Sequence, residues 1–540
     1  MERHGGDILI IGAGLAGIVC ALRLLDQGRR VLLLDRDTEQ NLGGLAKESF
    51  GGILLVDTPE QRRQRIQDTP EQALQDWLRF GDFSRDSAVD HWPRRWAEHY
   101  VHDCLQDVYH WLRGQGLSFL PLPLWVERGM KPGGGGNSVP RWHVVWGTGH
   151  GLMQTLVQRL LQHPQRNRLT LLCQHRVESL NTTAGAVSGC AGVREDSGEA
   201  FEAEAPVVIV AAGGINGNLD LVRQHWHADW NRPPATLLNG AHPFADGRLH
   251  QAAQQAGAEL THLDRQWNYA AGIRHWWPRK PDHGLSLVPP RSALWLNWRG
   301  ERIWPPLVSG YDTRDLVTQI CAQDKACSWQ LLNRRIALKE LAISGAEFNP
   351  SIRNHSRLGI LRDLLLGNRR LVDEVLAHST DVVTGQSLEE LAERMNALQG
   401  DQAVDAKALR DMVVRYDQEV AQGEASTDPQ RQRIAELRRW KGDRLRICKA
   451  QPILDGKALP LIAIREHIIS RKSLGGIHTN LACEALRADG SAVPGLYAIG
   501  EAAGFGGGGM NGLRALEGTF LGGCIYSAQR LARALSQGGR

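Results

Sequence analysis

The first clear pattern in the chain is a short apolar run, Ile8-Leu9-Ile10-Ile11, bounded by Asp7 and Gly12, which predicts a buried strand. Glycines stand at 12, 14 and 17, the apolar stretch Leu15 to Leu25 predicts a helix closed by Gly28, and Val31 to Leu34 predicts a second strand. This is the opening of a βαβ unit. Between residues 60 and 115 the period changes: Trp96, Tyr100, Val101, Cys104, Leu105, Val108, Trp111 and Leu112 keep helical spacing until Gly114 and Gly116 end it. From 150 to 215 mixed α/β texture returns. It has a helix near Leu152 to Leu161, strands near Leu169 to Leu172 and Gly189 to Arg194, and the buried-strand run Val207 to Val210 before Ala211-Ala212-Gly213-Gly214. Residues 230 to 310 are rich in Trp and Pro and read as a substrate-side domain. Residues 325 to 440 read as helical and polar, with Leu388, Leu391, Met395 and Leu398 on one stripe, and the glycine-rich α/β texture resumes only near 470.

Gly12-Ala13-Gly14-Leu15-Ala16-Gly17 has the G-x-G-x-x-G form. The first glycine permits the tight turn, the second lets backbone approach a pyrophosphate at the helix N-terminus, and the third lets helix and strand pack closely. Asp35, at the end of the next strand, is placed to accept from ribose hydroxyls. FAD and NAD share this turn. A second segment, Leu496 to Gly504, is a short strand running into Gly500 and Glu501, which would suit the ribitol and pyrophosphate of a flavin. The alternation predicts an α/β fold: a Rossmann-like, discontinuous FAD-binding domain of the two-dinucleotide-binding type, with an inserted α+β capping or substrate domain. The expected boundaries are 1–230 and 446–540 for the FAD-binding domain and 231–445 for the insertion.

The chain has 540 residues, 42% hydrophobic and 23% charged, which suits a globular protein with a sizeable core. Its formal charge of +4, from 63 basic and 59 acidic residues, includes no long single-sign block, so no nucleic-acid partner is expected. The nine cysteines form no C-x-x-C pair, which argues against thioredoxin, haem-attachment and zinc-ribbon motifs and suits a reducing cytoplasm. Asp7, Arg23 and the glycines disqualify the Ile8 to Leu25 stretch as a membrane span, and no other spanning segment is expected. No G-x-S-x-G, H-E-x-x-H or Walker sequence occurs. His225-Trp226-His227-Ala228-Asp229 has metal-like spacing but no clear strand to carry it, and no metal is expected.

At these residues the chain resembles the family of fumarate reductase and succinate dehydrogenase flavoproteins, which also holds flavocytochrome fumarate reductases and 3-ketosteroid dehydrogenases. Asn41-Leu42-Gly43-Gly44 with Ser49-Phe50-Gly51-Gly52 resembles the family's second flavin loop, Ala211 to Gly214 its A-x-G-G strand end, and Asp246-Gly247 with Ala256-Gly257-Ala258 its G-D-G to G-A helix. The resemblance implies FAD contacts from Gly12, Gly14, Leu15, Ala16, Gly17, Asp35 and Arg36 in the first βαβ unit, and from Asn41, Gly43, Gly44, Ser49, Gly51 and Gly52 in the second loop. It implies further contacts from Val177, Ala211, Ala212, Gly213, Gly500, Glu501, Gly512, Ala515 and Gly518. No histidine lies between Asn41 and Asp57, where relatives in membrane complexes attach flavin covalently, so non-covalent FAD is expected.

Asn297-Trp298-Arg299-Gly300-Glu301-Arg302 followed by Asp312-Thr313-Arg314-Asp315 resembles the N-x-x-G-x-R and T-R-D stretches of fumarate reductases, whose arginine shuttles a proton; the resemblance gives Arg314 that role, against a purely structural pairing with Asp312 or Asp315. Lys472-Ser473-Leu474-Gly475-Gly476 lies where the family has H-T-M-G-G, so Lys472 replaces a substrate-binding histidine. Gly509 to Arg514 resembles the G-A-N-R-L-G-G segment with three extra residues, making Arg514 a candidate clamp, and the final helix, Leu516 to Leu535, would aim its N-terminus at the flavin. Tyr311 is a candidate acid or hydrogen-bond donor, or a packing residue. His143 is a candidate contact to substrate or flavin, or a hydrogen-bonded structural residue.

The expected activity is FAD-dependent hydride transfer between flavin N5 and a carbon–carbon bond beside a carbonyl or carboxylate, with Arg314 moving the proton and Lys472 and Arg514 stabilising an enolate. The expected partners are a small-molecule substrate and an external electron donor or acceptor. The alternatives are a 3-ketosteroid-type dehydrogenase with an apolar substrate and a non-catalytic flavin-binding electron carrier.

Overall fold

A computed structural model describes residues 2–130 and 135–537. In it the Ile8–Ile11 run is a wholly buried strand inside a six-stranded sheet. The order is Glu484–Leu486, Ala492–Ala498, Val207–Val210, Ile8–Ile11, Val31–Leu34 and Leu169–Leu172, parallel except at the first pair. The central parallel strands are covered on both faces, which is why Ile8–Ile11, Val31–Leu34 and Val207–Val210 read as continuous apolar runs rather than alternating ones. Helix Leu15–Asp26 packs against the final helix, Thr519–Gln537. A second sheet, ordered Glu2–Gly5, Ala200–Glu204, Ala186–Arg194 and His175–Thr183, turns Val177, Cys190, Phe201 and Ala203 into one core with Leu9, Val208 and Leu496.

The chain forms two units: residues 1–225, 241–267 and 471–540 make the first, and residues 226–240 and 268–470 the second. The second is built on a sheet ordered Leu294–Asn297, Cys327–Asn333, Leu461–Ser473, Gln266–Arg274, Gly284–Val288 and Ala342–Ile343, with Leu237–Asn239 and Val382–Gly385 also paired to the long Leu461–Ser473 strand. Its core gathers Leu294, Trp329, Leu331, Ile462 and Ile464 with helix residues Leu388, Leu391 and Met395.

Two differences from the sequence pattern have physical causes. The stretch 325–440 is not wholly helical, because Cys327–Asn333 and Val382–Gly385 are strands. Ser328 through Asn333 are all buried, so the first strand shows neither a period of two nor a helical stripe. The helix through Trp96 and Tyr100 is interrupted by a π-turn at Leu105–His110, which rotates the stripe: Val108, Tyr109 and Leu112 are buried while Leu105 and Trp111 are half-exposed.

Candidate active site

In the first unit the glycine turn is shaped by close approaches that only a hydrogen side chain allows. Gly12 has φ +110°, and a Cβ there would lie 2.5 Å from the Ala211 carbonyl oxygen; one on Gly17 would lie 1.9 Å from the Gly12 carbonyl oxygen. Gly14 differs. A Cβ on it would meet nothing within 4 Å, and no side chain caps the helix that begins at Leu15. Open space in front of uncapped backbone N–H groups is what a pyrophosphate needs. Asp35 accepts from the Ala13 N–H at 2.5 Å and the Asp37 N–H at 2.7 Å, and burial pushes its carboxyl up; each oxygen keeps a lone pair that a ribose hydroxyl could use. Leu15 and Ala16 are buried in the first helical turn. The Arg36 guanidinium is held by Glu195 and, at 3.0 Å, by Asp246, over the Phe244 ring.

The second loop closes on this turn. The Gly43 N–H donates to the Ala13 carbonyl at 3.1 Å, Gly44 stands over Gly14, and Asn41 donates to Asp37. Ser49, Gly51 and Gly52 pack beside Thr148, Gly149 and Trp142, where a Cβ on Gly51 would lie 2.7 Å from the Thr148 backbone. Ala211, Ala212 and Gly213 leave the Val207–Val210 strand next to Gly12, while Val177 is buried in the neighbouring small sheet.

The C-terminal segment meets the same turn: a Cβ on Gly500, at φ +64°, would lie 2.8 Å from the Ala16 Cβ. Glu501 Oε1 accepts from the Ser473 N–H at 2.9 Å, and burial pushes its carboxyl up to about 7 against the pull of that bond and of Lys472. Lys472 is pushed down to about 8 by burial, opposed by Glu517, and its Nζ stands 3.9 Å from the centre of the Phe520 ring. Glu517 Oε1 accepts from Trp267 Nε1 at 2.8 Å. Arg514 donates to Asp82 at 2.8 Å; Ala515 is buried, Gly512 abuts the Gly81 carbonyl, and Gly518 abuts the Leu54 backbone. Lys472, Glu501 and the residues of the glycine turn therefore belong to one packed region. Trp267 and Glu517, which hold its edge, carried no sequence signal.

His143 is fully buried. Its Nδ1 lies 2.7 Å from the Arg141 carbonyl and its Nε2 2.7 Å from Thr58 Oγ1, and burial pushes it down to about 4, so the ring is neutral and both nitrogens are occupied. Arg141, two residues before it, is a buried guanidinium pairing with Asp68 at 2.7 Å and Asp76 at 2.6 Å.

In the second unit Arg314 sits in the first turn of helix Thr313–Cys321, which Asp312 caps by accepting from the Asp315 N–H. The guanidinium is buried. It donates to Asp229 at 3.0 Å, lies 3.2 Å from His227 Nδ1, and rests over the Trp230 ring at 5.1 Å. Two members of the H-x-H-x-D stretch thus hold an arginine. Tyr311 is buried too, its hydroxyl donating to the Arg433 carbonyl at 2.9 Å and lying 3.1 Å from Glu436.

Comparison with known proteins agrees with this geometry. The family described as "FAD binding domain" matches residues 7–521. A KsdD-like steroid dehydrogenase of Mycobacterium tuberculosis is 42% identical over 99% of this chain and 96% of its own length. Among solved structures, the 3-ketosteroid Δ1-dehydrogenase of Sterolibacterium denitrificans superposes with TM-score 0.69 at 16% identity over 99% of this chain and 100% of its own. A flavocytochrome c3 fumarate reductase superposes with TM-score 0.68 at 18% identity over 99% of this chain and 78% of its own. Among the described residues no helix is long and apolar enough to cross a membrane. By its glycine turn, its sheet order and these matches, the chain belongs to the FAD binding domain family and is an FAD-dependent dehydrogenase or reductase.

Proposed function

We propose that this enzyme oxidises or reduces a carbon–carbon bond next to a ketone, on a bulky alicyclic substrate of the steroid kind. The substrate class rests on the 42% identity to a KsdD-like steroid dehydrogenase over nearly the whole chain. The observation that carries the chemistry is Lys472, a half-buried residue whose amine lies 3.9 Å from the centre of the Phe520 ring, pushed down to about 8 beside Glu517 and Glu501, in the region that the glycine turn shares.

Gly14, the helix start behind it, Asp35, the second loop and Glu501 hold FAD, without a covalent bond, since the loop offers no histidine between Asn41 and Asp57. When bound, FAD supplies the hydride donor and acceptor at its N5. In reduction the Arg314 guanidinium gives a proton to the α-carbon and is reprotonated from solvent; in dehydrogenation the guanidine, having first released a proton to solvent, takes the α-proton. Asp229 and His227 fix the guanidinium so that little reorganisation is needed when the proton moves. Lys472 donates to the carbonyl oxygen, where negative charge grows as the α-proton leaves, and Arg514 supports it. Tyr311 and His143, with their polar atoms already satisfied inside the protein, position neighbouring chain.

The test is anaerobic. The bound flavin is reduced chemically and its visible band followed on mixing with cyclic enones, including a ketosteroid, and separately with unsaturated dicarboxylates. Rapid reoxidation by the ketosteroid alone is the expected result. Reoxidation by dicarboxylates alone would replace the ketone with an acid, and silence with both would overturn the proposal. Release of all flavin on acid precipitation checks the non-covalent binding.

A further inference from the structure

We propose that Glu2, His4 and His175 bind a divalent first-row transition ion, best fitted by zinc. Glu2 and His4 are two apart on the edge strand Glu2–Gly5, so their side chains share a face. They lie opposite Phe201 and Ala203, both buried, which makes that face the inner one. His175 opens the strand His175–Thr183, with its ring 4.8 Å from Phe201 and 5.9 Å from the His4 ring. One ligand atom from each of the three residues therefore falls within 4.8 Å of the others.

The two imidazoles are already arranged as ligands. His175 is more than nine-tenths buried, and its Nδ1 donates to the Cys173 carbonyl at 2.6 Å, which leaves the lone pair on Nε2. Neither that Nε2 nor the Nε2 of His4 has a hydrogen-bond partner. His4 Nε2 is 3.3 Å from Glu2 Oε1, and His175 Nε2 is 4.0 Å from Glu2 Oε2. Bonds of about 2.0–2.1 Å in a tetrahedral site put donor atoms about 3.3 Å apart, so the His4–Glu2 edge has the required length, the His175–Glu2 edge closes by a turn of the exposed Glu2 side chain, and the His4–His175 edge, within 4.8 Å, closes by a rotation of the His4 ring on its edge strand. Two imidazoles and one carboxylate, with a fourth position for water, suit zinc rather than calcium or magnesium. Arg194 stands 3.8 Å from Glu2 Oε2, but its closer partner is Asp196 at 2.8 Å, so Glu2 can turn to the ion. The ion would pin the edge strand Glu2–Gly5 to His175, whose N–H donates to the Asp35 carbonyl.

The experiment uses tag-free holoenzyme, stripped by chelator, titrated with Zn2+ against a competing indicator and analysed for metal after gel filtration. One equivalent is expected, with affinity lowered about tenfold or more in His4→Ala and Glu2→Gln. His378→Ala, an exposed histidine elsewhere, should leave it unchanged. His175→Ala is less decisive because its ring packs on Phe201; His4, on an edge strand, keeps the test clean. Loss of the tetrahedral Co2+ spectrum in His4→Ala is the second readout. Failure to bind an equivalent, or equal affinity in wild type and His4→Ala, would overturn the site.

A separate observation carries a second proposal: helix Arg357–Leu366 is a docking surface for an anionic lipid membrane. Leu358, Leu361, Leu365 and Leu366 are 81%, 53%, 74% and 63% exposed, and no residue of this helix is buried. Exposed leucines clustered in this way mark an interaction surface. Arg357, Arg362, Arg369 and Arg370 are exposed around them; Arg362 pairs with Asp363, which Ser351 also holds, and Arg370 pairs with Glu374, which leaves this face a net positive charge from Arg357 and Arg369. Apolar side chains ringed by arginines match anionic headgroups over acyl chains, while the same ring on a second copy would bring like charges together. Co-sedimentation of holoenzyme with phosphatidylglycerol vesicles is expected, weakened severalfold by Leu361→Gln with Leu365→Gln and by salt. Absence of binding, equal binding to phosphatidylcholine alone, or a dimer in ultracentrifugation that the variant dissolves while vesicles are ignored would overturn it.

Discussion

Replacing Lys472 by methionine should make the flavin-stripped protein more stable and the enzyme much slower. Burial moves this amine from the ordinary 10.5 down to about 8, a difference of 2.5. At about 1.4 kcal/mol for each pH unit, carrying the ammonium costs the folded chain about 3.5 kcal/mol. The folded pKa is depressed, so the cost is complete below pH 8, shrinks between 8 and 10.5, and is absent above that range. Methionine keeps a polarisable contact with Phe520 but loses the cation over the ring, which takes back about 0.5–2 kcal/mol. The expected gain is therefore about 1.5–3 kcal/mol at pH 7 and absent by pH 10.5, read as the wild-type to variant difference in urea unfolding. Turnover of the loaded enzyme should fall about 10²–10³-fold, the loss usual for one donor to a developing oxyanion. A variant less stable than wild type at pH 7, or a stability difference that ignores pH, would refute the reasoning.

Arg314→Ala should retain flavin, by its visible spectrum, and lose about 10²–10⁴-fold in turnover; unchanged turnover would favour an electron carrier over a catalyst. Gly17→Ala, whose Cβ would lie 1.9 Å from the Gly12 carbonyl, should yield protein purified without flavin, checked by the absorbance ratio of the visible band to the protein band. Asp381 is a fully buried carboxylate: burial would raise it, but His467 and Arg274 hold it at about 2. Its depressed value contributes about 2 kcal/mol above pH 4 that is lost as pH falls through 2, so the deficit of Asp381→Asn should be largest near neutrality and shrink in acid, as measured by denaturation at pH 7, 4 and 2.5.

Sequence reading was strongest where the physics is local. Gly12 and Gly17 are forced by contacts within one turn and its neighbouring strand, and the Ile8–Ile11, Val31–Leu34 and Val207–Val210 runs announce buried parallel strands without help from distant residues. It failed where the partner is remote. Asp229 lies 85 residues before Arg314 and Trp267 250 residues before Glu517, and nothing near either residue indicates the pairing. His143 between Trp142 and Val144 reads equally as a ligand or a core residue; only Thr58, 85 residues away, completes its hydrogen bonding. Position 472 stood out only through the family resemblance, since a lone lysine near a glycine pair has no local pattern, and its burial could not be read at all.

That position also bears on what the scaffold has been adapted to bind. A fumarate reductase and a ketosteroid dehydrogenase superpose on this chain almost equally well, so the fold is compatible with both chemistries and the choice falls to a few side chains. A dicarboxylate needs cations that stay charged across the working pH range, as a guanidinium does. Lys472, pushed down to about 8 by burial, is still mostly protonated at neutrality but loses its charge just above it, where a guanidinium does not, which makes it the weaker anchor for a second carboxylate. A ketone asks for something else: a donor that is cheap to bury while the substrate is neutral and grows more effective as the oxygen becomes an enolate. An amine pushed down to about 8, flanked by Glu517 and Glu501 and lying over an aromatic ring, has the properties that the proposed ketone chemistry asks of its donor.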